Sequence, residues 1–236
     1  MIFHRSRIKT TSKEIVMQNQ IIENTRCTKF LGVIIDDKLK WTNHITYIQN
    51  KIAKSIGILY RTRFFLDTNT LTNLYHTFIF PYLIYCVELW GNAASIHLNP
   101  IVLLQKKCLR TITFSVYLAP SMPLFQQTNI LAFEKLVIQR IALMMFKYSK
   151  QDLPRPIQNL FSVNNEVHTH LTRSSTALRT PRGEREERYR TFSFRGVYIW
   201  NHISQNVNID VSYASFKHIV KKYIQTNELL HLRLNM

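Results

Sequence analysis

Between residues 43 and 61 apolar positions return with the period of a helix. Ile45, Ile48, Ile52, Ile56 and Leu59 recur at i, i+3, i+4 spacing and form one stripe. Lys51, Lys54 and Arg61 fall on the opposite face. Thr42 or Asn43 is placed to cap the start of this helix. Upstream the pattern changes. From Lys29 to Ile35 the chain runs Phe-Leu-Gly-Val-Ile-Ile after the lysine, continuous, apolar and rich in β-branched residues. That predicts a strand buried on both faces. Gly32 inside it predicts a bulge or a close approach by another backbone. Before it, Glu14 to Met17 and Ile21 to Glu23 flank the polar Gln18-Asn19-Gln20, the pattern of a β-hairpin or two short strands. So few strands read as the edge of a sheet whose other strands are absent.

Further helices follow. Asp67 or Thr68 opens a second, carrying Leu71, Leu74, Tyr75, Phe78 and Ile79, and Pro81 kinks or breaks it. The pattern resumes from Tyr82 to Trp90, apolar almost all round, as a central core helix with Glu88 as its one charge. A third helix opens at Asn99-Pro100, with Ile101, Leu104, Cys108 and Ile112 inward and Lys106, Lys107 and Arg110 on the far side. Residues 120–129 read as a loop or a short turn of helix. Leu131 to Tyr148 reads as a long, well-buried helix, and Ile157 to Phe161 as a short one. Residues 164–190 are polar and hold Arg173, Arg179, Arg182, Arg185, Arg188 and Arg190, with Glu184, Glu186 and Glu187 among them. They read as an extended, partly disordered basic linker. Residues 191–201 are aromatic and must pack against something. A last amphipathic helix follows Ser212 through Phe216, Ile219, Val220, Tyr223 and Ile224. The expected fold is mainly α: short N-terminal β-strands over 1–41, a helical bundle over 42–162, the linker over 163–190, and an aromatic, helical C-terminal extension over 191–236.

Charge sharpens this picture. The chain has 31 Lys and Arg against 14 Asp and Glu, a formal net charge of +17. Such an excess points to a polyanion, either nucleic acid or an acidic membrane surface, or to a merely basic protein. Residues 38–150 alone hold 13 basic and 3 acidic residues, and no acidic residue lies between Asp37 and Asp67. The cations of the first helix therefore lack local partners. A solvated face or a phosphate-binding face explains them. The longest apolar run, Phe78 to Val87, holds ten residues and a proline, whereas a membrane span needs about 20. Cys27, Cys86 and Cys108 are odd in number and widely spaced, which argues against a disulfide framework or a CxxC zinc site. They read as reduced thiols of an intracellular protein, nuclear or cytoplasmic, and no signal peptide is evident.

Candidate chemistry is sparse. Asp36-Asp37 follows an apolar strand, as metal-binding carboxylates of polymerases do. A third carboxylate on a neighbouring strand could come only from Glu14 or Glu23, so the pair reads better as a charged turn. His168 and His170 lack partners for a metal set. No glycine-rich phosphate loop, GxSxG or HExxH motif occurs. By motifs alone the chain is not an enzyme.

The residues Thr28-Lys29-Phe30-Leu31-Gly32-Val33, Ile35-Asp36, Leu39, Trp41 and His44-Ile45 form a pattern, FLGVxID…LxWxxHI. It resembles the region after the catalytic motif in reverse transcriptases of non-LTR (LINE-type, jockey-like) retrotransposons. Ser55 to Tyr60, Leu74-Tyr75, Pro81-Tyr82-Leu83, Tyr85, Glu88 to Ala93, Gln105-Lys106-Lys107, Thr172-Arg173 and Trp200-Asn201 continue the likeness. The resemblance implies that Phe30, Leu31 and Gly32 belong to a primer-grip strand at the edge of the palm. The helices after it would form a thumb that tracks an RNA/DNA template–primer duplex. With the basic faces, this gives Lys51, Lys54, Arg61, Lys106, Lys107, Arg110 and Arg173 as candidate nucleic-acid contacts. The catalytic YxDD hairpin, fingers and remaining palm would lie upstream, and with them the Mg2+ expected for a complete polymerase; no cofactor is expected in these residues. The alternatives are a stand-alone, non-enzymatic nucleic-acid-binding module and a non-functional truncated copy.

Overall fold

The computed structural model describes residues 1, 3, 15–164, 177–181 and 189–227. Those residues are mainly helical, with two short hairpins at the N-terminal end. The first hairpin pairs β1 (Ile15–Met17) with β2 (Gln20–Ile22) across Gln18 and Asn19, both at positive φ. That is the geometry of a two-residue hairpin turn. Glu14, at its expected start, lies outside the described residues.

The apolar run around Gly32 is not one buried strand. It folds as a second hairpin, β3 (Cys27–Phe30) with β4 (Val33–Asp36). Leu31 and Gly32 form its turn, at φ of 45° and 84°. Glycine takes that conformation without a Cβ penalty, so Gly32 marks a turn rather than a bulge. The strand expectation fails because apolar content alone does not distinguish one long strand from two joined by a two-residue turn. Only Val33 of this run is fully buried; Phe30 and Leu31 face solvent.

Helix α1 (Thr42–Thr62) follows, and the expected stripe is its buried face: Ile45, Ile48, Ile52, Ile56 and Leu59 are all at most 3% exposed. Neither Thr42 nor Asn43 caps it. Trp41 occupies the cap position at φ 65°, without a side-chain cap bond. Helix α2 (Thr68–Phe78) is capped by Asp67, whose carboxylate accepts from the amides of Asn69 and Thr70. The Thr70 side chain foremost, with these amides, holds the Asp67 carboxyl below its ordinary pKa. Phe78, expected inside, is 44% exposed.

Pro81 does interrupt the path. It cannot donate to a preceding carbonyl, and α2 gives way at Ile79 to the short α3 (Phe80–Ile84). Tyr85 is extended and Cys86 is left-handed, so Tyr82 to Trp90 is not one central helix. Instead α4 (Val87–Trp90) starts a new turn. The indole N–H of Trp90 donates to the Tyr85 carbonyl across that break, at 2.9 Å.

Helix α5 (Ser95–Ile112) begins four residues before the expected cap at Asn99 and carries Pro100 inside it. Pro100 has no amide hydrogen to give the Ile96 carbonyl, so the helix forgoes one backbone bond there. Helix α6 (Ser121–Gln127) occupies the expected loop or short helix, and α7 (Phe133–Ser149) the expected buried helix. The centre of the molecule is α7. It packs against α3, α4, α5 and two C-terminal helices, α9 (Phe192–Asn206) and α10 (Tyr213–Thr226). The single-turn α8 (Arg155–Gln158) follows α7 and precedes α9 in the chain. The aromatic stretch after Thr191 is thus the start of α9, with Val197, Ile199, Trp200 and Ile203 in the core. Ser212 caps α10, as the sequence suggests.

Polar side chains lock this core at a few places. Gln105 is 1% exposed. It donates to the Tyr75 hydroxyl at 3.0 Å and the Leu131 carbonyl at 2.9 Å, and accepts from the Phe133 amide at 2.8 Å. Glu88 pairs with Arg140 at 2.9 Å, joining α4 to α7. Arg195 is nearly buried and donates to Asn92 at 2.8 Å. Burial lowers its guanidinium pKa to about 10. Asn201 exchanges two hydrogen bonds with the backbone of Leu178, at 3.0 and 2.8 Å, much as a neighbouring strand would.

Candidate nucleic-acid interface

The junction between β4 and α1 decides how the basic helix is presented. After Asp36 the chain turns sharply, with Leu39 and Trp41 both at positive φ. The Asp36 carboxylate sits inside that turn. It accepts from the amides of Lys38 and Lys40 at 3.1 and 3.0 Å through Oδ1, and from Trp41 at 2.9 Å through Oδ2. Asp36 therefore does for this turn what an N-cap side chain does for a helix start. Both oxygens are aimed at backbone amides, which leaves them badly placed for a cation. Among the described residues no three His, Cys, Asp or Glu side chains gather as a metal set. His168 and His170 lie outside the described residues. Asp36, committed to this turn, does not fit the Mg2+ of a polymerase centre.

Asp36→Ala should lower stability by about 1–2 kcal/mol, the usual cost of a lost cap. Asp36→Asn, which keeps one acceptor oxygen, should cost less than half as much. Urea denaturation of both variants checks this, and equal losses would contradict the capping role.

His44 ties the second hairpin to α1. It is 2% exposed, and its Nδ1 accepts from the Ile34 amide at 3.3 Å. Burial lowers its pKa, which keeps the ring a neutral acceptor. The hairpin turn is tethered separately, since the Tyr85 hydroxyl donates to the Leu31 carbonyl. Phe30, Leu31 and Gly32 thus project at an exposed tip with a supported base.

Along α1, Lys54 and Arg61 are exposed and Lys51 is half-buried. None of the three pairs with a carboxylate among the described residues. Lys51 and Lys29 of β3 both approach the ring of Tyr47, at 5.6 and 5.3 Å from its centroid. Two cations from different elements therefore converge on one aromatic, a cation–π arrangement. Sequence reading misses Lys29 and Tyr47, because their approach depends on the hairpin's register against α1.

The α5 set is less uniform. α5 packs against α1, so its cations lie on the adjoining helix. Lys107 is exposed and Lys106 half-buried. Arg110 is already engaged: its Nε and Nη2 donate to the Ala119 carbonyl at 3.1 and 2.9 Å. It holds the loop after α5 as well as carrying charge. Arg173 lies outside the described residues. A further cation, Arg63, sits 5.0 Å from the rings of both Tyr60 and Phe64 and 5.5 Å from that of Phe114. It joins the ends of α1 and α5. Burial pushes the Cys108 thiol up to about 12, so it packs as an apolar side chain. No helix among the described residues is long and apolar enough to cross a membrane.

No family model matches the chain, and no solved structure gives a significant match. Three curated proteins do. Over 103 residues, 42% of this chain, it is 34% identical to the RNA-directed DNA polymerase from mobile element jockey of Drosophila melanogaster. Over 102 residues it is 32% identical to the jockey enzyme of Drosophila funebris. Over 109 residues, 44% of this chain, it is 28% identical to the probable RNA-directed DNA polymerase from transposon X-element of Drosophila melanogaster. The matched part spans 11 or 12% of the length of these relatives. Over that part, the chain is similar to the RNA-directed DNA polymerases of the mobile elements jockey and X-element.

Proposed function

We propose that this chain serves an RNA-directed DNA polymerase as a thumb-like clamp on the RNA/DNA template–primer duplex. In this reading α1 lies along the sugar–phosphate backbone, with the β3–β4 tip directed at the primer. Fingers, palm and Mg2+ belong to the rest of such a polymerase. One observation carries the reading: the exposed side of α1 is cationic and unneutralised. Lys51, Lys54 and Arg61 have no carboxylate partner among the described residues, and the acidic residue next in sequence, Asp67, is committed as a helix cap. Tertiary folding brings Lys29 to the same side, against Tyr47. A long helix with exposed cations and no counter-charge suits a polyanion, and RNA-containing duplexes are gripped mainly through phosphates and 2′-hydroxyls.

The test is a salt titration of binding to a labelled RNA/DNA hybrid. Replacing Lys51, Lys54 and Arg61 together with alanine should flatten the dependence of log affinity on log salt by roughly 2–3, about one for each phosphate no longer neutralised. The melting temperature should change little, because these side chains lie off the core. An unchanged slope and affinity would refute the assignment of this face.

A further inference from the structure

Gly57 is the centre of the exposed side of α1. It lies three residues from Lys54 and four from Arg61, the spacing of neighbours on one helix face, and all three are exposed. A glycine inside a helix is a local liability, less favourable than alanine by roughly the largest margin of any residue but proline. The other three glycines among the described residues have a visible internal reason. Gly32 makes a turn at positive φ. A Cβ at Gly91 would come within 2.5 Å of the Val87 carbonyl oxygen, and one at Gly196 within 2.8 Å of the Met145 sulfur. At Gly57 an added Cβ would meet no heavy atom within 4 Å. Nothing among the described residues requires the missing side chain.

We infer that Gly57 is kept bare for an external partner: the sugar–phosphate backbone of the bound duplex seats directly on the α1 backbone there, between Lys54 and Arg61. This rests on the clamp reading above and adds the point of closest approach. The occupant follows from charge. A cationic pair flanking an open backbone patch, without a carboxylate beside it, complements a polyanion. Glycine permits that approach, where any side chain would hold the strand away.

The prediction separates fold from binding in one substitution. In the full chain, Gly57→Ala should raise the melting temperature by about 2–4 °C, because alanine favours the helix and the space is free. The same change should weaken binding of a labelled RNA/DNA hybrid by about tenfold, comparable to removing one charge-assisted hydrogen bond. Gly57→Leu should weaken it further. If Gly57→Ala leaves affinity unchanged while the alanine triple at Lys51, Lys54 and Arg61 lowers it, the clamp stands and direct seating at Gly57 is wrong. If neither changes affinity, the clamp itself falls. If Gly57→Ala lowers melting temperature and affinity together, the glycine serves the fold and the inference is overturned.

Discussion

Trp90→Ala should cost about 3–5 kcal/mol of unfolding free energy, the range for deleting a buried large aromatic. The ring is fully buried, stacked on Phe133 of α7 with centroids 5.6 Å apart, and met at its edge by His44 of α1. Its indole N–H also closes the break between α3 and α4. Truncation removes packing from three elements and leaves the Tyr85 carbonyl without that donor. In a chain of 236 residues this corresponds to a fall of roughly 8–15 °C in melting temperature. Urea denaturation followed by far-ultraviolet circular dichroism reads it without relying on the deleted chromophore. A loss below about 1.5 kcal/mol would mean that the site collapses to fill the gap.

Gln105→Leu should be of similar size, about 3–5 kcal/mol, for a different reason. Leucine nearly preserves volume, so packing is roughly conserved. It cannot serve the Tyr75 hydroxyl, the Leu131 carbonyl or the Phe133 amide, and each is left in the interior. Stranding a buried polar group costs about 1–3 kcal/mol. Burial also holds the Tyr75 phenol well above its ordinary pKa, so this hydroxyl cannot ionise to escape. Tyr75→Phe, which removes one partner and leaves Gln105 its two backbone bonds, should cost only about 1–1.5 kcal/mol. Equal destabilisation of the two variants would mean that the Leu131 and Phe133 bonds add nothing separable, contrary to this expectation.

These two residues show what is legible in a single sequence. The stripe from Ile45 to Leu59 can be read because burial follows one local period, and its five members are the buried face of α1. The cap at Asp67 can be read because its partners lie two and three residues on. Gln105 cannot, since its side-chain partners are 26 to 30 residues away along the chain. The same holds for Asn201, which braces Leu178. Within the candidate interface, the cations of α1 are visible as a charge pattern. The convergence of Lys29 and Lys51 on Tyr47 is not, because it depends on how the hairpin docks. Pro100 misleads in a specific way: proline favours a first helical turn, but α5 has already begun at Ser95. The aromatic start of α9 reads as packed but not as helical, since its phenylalanines, tyrosine and tryptophan favour strands as readily.

The β3–β4 hairpin is held by a small set of attachments. Val33 reaches the core, the Ile34 amide meets His44, and the Tyr85 phenol holds the Leu31 carbonyl from 54 residues away. No other residue of the hairpin is fully buried. With the Lys29 contact to Tyr47 and the Asn43 hydrogen bond to Cys27, these links should set a free energy of detachment below that of global unfolding. Amide hydrogens of β3 and β4 should therefore exchange faster than those on the buried face of α1. On the clamp reading proposed above, a hairpin held this lightly would serve as a hinged finger whose tip follows a moving strand end.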